Sequence, residues 1–160
     1  MQLTAILATA LTAAATVSAG PVKRDTCQIQ YPQAIGFPIN YNVSKTINPP
    51  TERVDAVTFQ VPPNAPGPCS LVASFPAGFP IQQSGASQVN FFATTGSAAG
   101  RIVGTITFES DSDEPVFRTI NSFACEPVMG YEMRIASDSE DGFVAFSEVQ
   151  GAGLQMLYGC

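Results

Sequence analysis

The chain has 160 residues with 7 basic and 13 acidic side chains, no histidine and no tryptophan; 45% of its residues are apolar, 12% are charged and its net charge is −6. Nucleic acid and anionic lipid are recognised through clustered Lys and Arg, which this composition lacks. Without histidine there is no base for Ser-His-Asp or Cys-His catalysis, and histidine-brace and zinc-hydrolase chemistry fall with it.

In chain order, residues 1–19 form an uncharged run rich in Ala, Leu, Ile and Val that closes on Val17-Ser18-Ala19, the small residues a signal peptidase reads. Residues 20–24 follow as a short propeptide ending in the dibasic pair Lys23-Arg24. A single secreted domain is therefore expected over 25–160, long enough for one core and too short for two. Losing Lys23 and Arg24 leaves five basic against thirteen acidic residues, a net charge of −8. No apolar run after Ala19 approaches the roughly 20 residues that cross a bilayer, so no membrane span is expected.

Beyond the leader, the period-2 pattern of half-buried strands recurs. Cys27-Gln28-Ile29-Gln30-Tyr31, Val57-Thr58-Phe59-Gln60-Val61, Cys69-Ser70-Leu71-Val72-Ala73-Ser74-Phe75 and Val89-Asn90-Phe91 all alternate. Residues 102–108, 116–125, 131–136, 143–148 and 154–160 continue the series, and a further strand is expected at 38–43. Thirteen Gly and thirteen Pro punctuate it. Residues 42–53 and 62–68, with Pro49-Pro50, Pro62-Pro63 and Pro66-Gly67-Pro68, are expected to be surface loops because proline cannot donate to a ladder. The expected fold is all-β: a two-layer antiparallel β-sandwich, jelly-roll or immunoglobulin-like, of about nine or ten strands.

Four cysteines in an exported chain imply two disulfides; no short Cys-x-x-Cys knuckle supports a zinc site. By strand phase Cys27, Cys69, Cys125 and Cys160 all point into the core. First and last strands of sandwiches are often neighbours, so the expected pairs are Cys27 with Cys160 and Cys69 with Cys125.

Two acidic turns are the most suggestive chemistry: Glu109-Ser110-Asp111-Ser112-Asp113-Glu114 and Asp138-Ser139-Glu140-Asp141. If the flanking strands run up and down, both turns sit at one end, where Asp111, Asp113, Asp138 and Asp141 could supply oxygens to calcium. The plainer reading is a pair of solvated hairpin loops. No other cofactor is expected. Asp111, Glu114, Asp138 and Asp141 also raise a glycosidase reading, which needs two carboxyls flanking a cleft. Asn42-Val43-Ser44 is an N-glycosylation sequon. For a polysaccharide-binding face the candidate rings are Tyr41, Phe79 and one of Phe91 and Phe92, since an adjacent pair must send one ring to each side of its strand.

Several stretches carry a resemblance: Gly67-Pro68-Cys69-Ser70-Leu71-Val72-Ala73-Ser74-Phe75-Pro76-Ala77-Gly78, Ser84-Gly85-Ala86-Ser87-Gln88-Val89-Asn90, Ile120-Asn121-Ser122-Phe123-Ala124-Cys125 and the terminal 151–160. Together they resemble small secreted fungal proteins with the domain named for the C-terminus of the ubiquitin-three-binding (But-two) proteins, some of them labelled hypersensitive-response-inducing or elicitor proteins. The resemblance implies an extracellular or cell-wall-associated β-domain of a filamentous fungus that is not an enzyme. Its implied partner is a plant surface receptor that answers with defence or cell death, or else a fungal or plant wall polysaccharide. It supplies structural positions only: the four cysteines, Phe75-Pro76, Gly85 and Gly153.

Overall fold

The computed structural model describes residues 27–33, 38–109 and 111–160. The expected leader, its cleavage point at Ala19 and the Lys23-Arg24 pair lie outside them. Twelve strands follow one another: β1 (Gln28–Gln30), β2 (Ile39–Ile47), β3 (Pro50–Arg53), β4 (Asp55–Gln60), β5 (Cys69–Phe75), β6 (Ile81–Gly85), β7 (Gln88–Ala93), β8 (Ile102–Thr107), β9 (Val116–Phe123), β10 (Val128–Ile135), β11 (Gly142–Glu148) and β12 (Gly153–Tyr158). Among the described residues no helix is long and apolar enough to cross a membrane.

The fold is the expected all-β, sandwich-like body of antiparallel sheets. Its ladders are divided among three four-stranded sheets, β1-β12-β5-β9, β4-β10-β7-β8 and β3-β2-β11-β6. Only β2–β3 and β7–β8 are consecutive neighbours. The other connections pass between sheets or skip strands, so long-range pairing dominates the fold.

Two strands escaped the periodicity. The segment expected as a loop over 42–53 is a hairpin, with Ser44 opposite Arg53 and Ile47 opposite Pro50. Its prolines are accommodated because Pro49 lies in the turn, after a cis Asn48–Pro49 bond, and Pro50 opens a marginal strand whose missing N–H leaves no ladder gap. β6 was missed because four of its five residues are exposed, which leaves no alternation to read. The loop at 62–68 is as expected.

Inward faces converge on one core. Met129, Tyr131, Met133 and Ile135 of β10 are buried in alternation, as are Val57 and Phe59 of β4 and Val144 and Phe146 of β11. Phe108 stands at the centre of an aromatic cluster, with ring centroids 4.9 Å from Phe146, 6.1 Å from Phe75 and 6.3 Å from Phe91. Phe108→Ala is expected to destabilise the protein by about 3–5 kcal/mol, because three rings lose a common neighbour and a packed core refills poorly. Urea denaturation would report it as a lowered midpoint at unchanged slope.

Both disulfides form as expected, Cys27–Cys160 and Cys69–Cys125. The expectation that all four sulfurs face the core needs correction at the first pair. Cys69 is fully buried and Cys125 half-buried, whereas Cys27 and Cys160 are exposed. Strand phase loses its force there: β1 has three residues, lies at a sheet margin and exposes Gln28 and Ile29 as well.

Candidate recognition surface

The acidic segments are not hairpin turns. β8 pairs with β7 while β9 pairs with β5, and β10 pairs with β4 and β7 while β11 pairs with β2 and β6. Both segments therefore cross between sheets instead of closing hairpins, but β8 and β10 both run antiparallel to β7, with Ile106 and Ile135 level with Val89, so the two segments leave the same end of that sheet. Each makes its own local contacts. Asp111 accepts the Asp113 N–H at 2.8 Å and gives its carbonyl to Gly78 N–H at 2.6 Å. Asp138 pairs with Lys45 at 2.7 Å, and the hydrogen bond and charge of that lysine hold the Asp138 carboxyl below its ordinary range. Asp141 accepts the Ile47 N–H at 2.7 Å through its side chain and the Ala86 N–H through its carbonyl. Glu114 is exposed. Among the described residues no three His, Cys, Asp or Glu side chains gather into a set that could hold a metal ion.

The carboxyl that burial does perturb is Glu148, which the sequence reading passed over. It is fully buried at the inner end of β11. Its Oε2 accepts the Leu154 N–H at 3.2 Å, while Oε1 has no hydrogen-bond partner among the described residues. Burial pushes its pKa up to about 8, outweighing the opposing influence of the Leu154 N–H and the Tyr41 phenol. Enclosed in this way, it cannot reach a glycosidic bond. The alternation that buries Val144 and Phe146 places Glu148 on the same face, a signal already present in the sequence.

The ring candidates sort differently from expectation. Tyr41 is in the core, 5.2 Å from Phe146, with its proton held by burial and by the nearby charges of Glu148 and Asp55. Phe79 is half-buried against Phe75 at 5.2 Å. Phe91 is fully buried, and Phe92 goes to the opposite face of β7. The sequence order of a strand pair imposes that split; what covers Phe92 depends on register. Glu132 of β10 lies directly opposite Phe92, and Arg134, two residues on, sits opposite Asn90. The Arg134 guanidinium is 5.1 Å from the Phe92 ring centroid, 2.5 Å from Glu132 and 3.9 Å from Glu52 of β3. Phe92, Glu132 and Arg134, with Thr94 and Gly100, line a depression of about 450 Å³.

On the neighbouring sheet β3-β2-β11-β6, Asn42 is half-buried in mid-strand, opposite Ala145, and borders a second depression with Asn40, Arg53, Gln82 and Ser147. Ser147 donates to Asn40 at 2.6 Å there. A glycan on Asn42 would occupy this amide-rich depression. Comparison with known proteins finds no matching family model, no matching curated protein and no matching solved structure.

Proposed function

We propose that this chain is a secreted fungal recognition protein without catalytic activity, which acts at the plant surface as an elicitor of defence or cell death. The contact face in this reading is the outer side of β4-β10-β7-β8, centred on Phe92 and Arg134. The observation that carries it is the stacked guanidinium–ring pair, flanked by Glu132 and Glu52, outside the core. Aromatic and arginine side chains dominate the energetics of recognition patches. An arginine already held by a ring and two carboxylates loses little side-chain entropy when a partner arrives. Two disulfides in a small β-protein are compatible with an extracellular location.

Infiltration of purified oxidised protein into leaves tests the reading, with heat-denatured protein, Phe92→Ala and Arg134→Ala alongside. Native protein is expected to provoke a response, and each variant to need roughly tenfold more protein for the same effect. Absence of a response in every host tried would reject the elicitor role.

A wall polysaccharide is the second reading, favoured by the ring of Phe92 on an outer sheet face. Pull-down on chitin and β-glucan separates the two readings: retention that Phe92→Ala abolishes would place the ligand in the wall rather than on a receptor.

A further inference from the structure

A third concavity, which uses neither Phe92 nor Arg134, lies where the loop 94–101 meets the segment joining β9 to β10. The loop is fixed from both sides. Thr94 N–H donates to the Gly130 carbonyl at 2.8 Å, Gly100 N–H donates to the Ala93 carbonyl at 2.7 Å, and the Thr95 hydroxyl accepts from Gly130 N–H at 2.8 Å while donating to the Val128 carbonyl at 3.0 Å. The opposite wall, from Phe123 to Glu126, is tied to β5 by the Cys69–Cys125 bridge. Between them is a cavity of about 180 Å³ whose lining includes the apolar Phe123 and Met129 and the polar Ser97, Glu126 and Tyr131. That space equals about six waters, too small for a drug-sized ligand and large enough for one six-membered ring or a short chain.

Two polar groups at this cavity are left without full partners. Glu126 is half-buried, yet no Lys or Arg among the described residues pairs with it. Among the described residues its one hydrogen bond is a long one of 3.4 Å from the Ser97 N–H. Tyr131 is 3% exposed, its ring 5.9 Å from Phe123, and its hydroxyl makes no hydrogen bond within the described residues. Burial first, and then the charge of Glu126, keep the proton on that phenol. Gly96 makes room for the carboxylate: with φ +72°, a Cβ there would fall 2.0 Å from Glu126 Oε2. A carboxylate with no internal counter-charge, beside two aromatic rings and an unspent hydroxyl, is complementary to an organic cation that also carries N–H donors.

We propose that this cavity binds a small primary ammonium compound, with the ammonium on Glu126, its carbon body against Phe123 and Tyr131, and the Tyr131 hydroxyl completing the hydrogen bonds. An amino-sugar residue and a free aliphatic diamine both carry this chemistry.

Calorimetric titration of the oxidised protein with glucosamine and putrescine, against glucose and N-acetylglucosamine, tests it. Saturable binding of at least one amine at or below roughly 10 mM is expected, with neither neutral sugar binding comparably. Glucosamine alone would mark an amino-sugar site and putrescine alone a diamine site. Glu126→Gln should weaken the amine by about tenfold or more, and Tyr131→Phe severalfold. Glu126→Asp, which withdraws the carboxylate by one methylene, serves if Glu126→Gln does not fold. Absence of amine binding, equal affinity for glucose, or undiminished affinity when Glu126 is altered would overturn the assignment.

Discussion

Replacing Cys69 and Cys125 together by alanine is expected to lower stability by about 4 kcal/mol. The bridge spans 56 positions, and the chain-entropy argument assigns a closed loop of that length roughly this much restraint on the denatured state. Native-state packing adds to the loss here, because Cys69 is fully buried between strands of one sheet. Cys27–Cys160 spans 133 positions, and the same argument gives about 5 kcal/mol. Its measured loss should nevertheless be the smaller one. Without the bond, a three-residue β1 detaches locally from β12 while the remaining sheets stay paired. Domains of this size have about 5–15 kcal/mol in total, so losing both bridges should leave the protein largely unfolded. Urea midpoints of the two double variants against the parent check this ordering. A Cys69/Cys125 variant within about 1 kcal/mol of the parent would contradict the account.

Stability should also fall, rather than rise, as pH increases from about 5 to 8. Glu148 titrates at about 8 in the folded protein against 4.5 when free, so between those values the folded chain keeps a proton that the unfolded chain has released. Its contribution is full below the unfolded value and is lost as pH climbs toward the folded one, with a slope approaching roughly 1.4 kcal/mol per pH unit. The groups facing it are the Tyr41 phenol, the Leu154 N–H and the backbone of Gly153, where an added Cβ would lie 2.4 Å from Glu148 Cγ. Asp55 acts on the same phenol. Glu148→Gln keeps the shape and removes the charge. Its advantage over the parent should be small at pH 5 and grow to several kcal/mol at pH 8, a difference that isolates this residue from the repulsion of an acidic surface. Denaturation curves at the two pH values decide it, and a pH-independent difference would show that the carboxyl is solvated.

Much of the architecture was legible because a half-buried strand has a period of two and nearly every inner strand obeys it. The pairing of Cys27 with Cys160 followed from the adjacency of first and last strands, which β1 and β12 realise. Where one face is not buried the signal vanishes: β6, with Gln82, Gln83 and Ser84 all exposed, left no pattern. Pro50 argued against a strand only because a marginal position could not be distinguished from a central one. That the acidic segments are crossovers and not hairpin turns was not legible, since the sequence does not reveal whether a turn joins strands of the same sheet. Arg134 over Phe92 and Glu126 beside Tyr131 depend on pairing register and loop return. Glu148 was different. Its phase with Val144 and Phe146 was available, and it is an acid where the pattern demands an apolar residue.

Division into three small sheets leaves β1, β9, β4, β8, β3 and β6 at sheet margins among the described residues, with the Gln33 N–H meeting the Thr58 carbonyl of β4 and the Asn121 side-chain amide of β9 meeting the Val103 carbonyl of β8. Such margins invite templated addition of foreign strands and growth into fibrils. Here β1 is only three residues long, β3 begins with Pro50 and carries Glu52 and Arg53, β4 opens on Asp55 and β6 ends at Gly85. The longest, β9, carries Arg118, and its pairing with β5 is interrupted by an irregularity beside Val72. Short, charged or broken margins of this kind disfavour edge-to-edge pairing between copies of the chain.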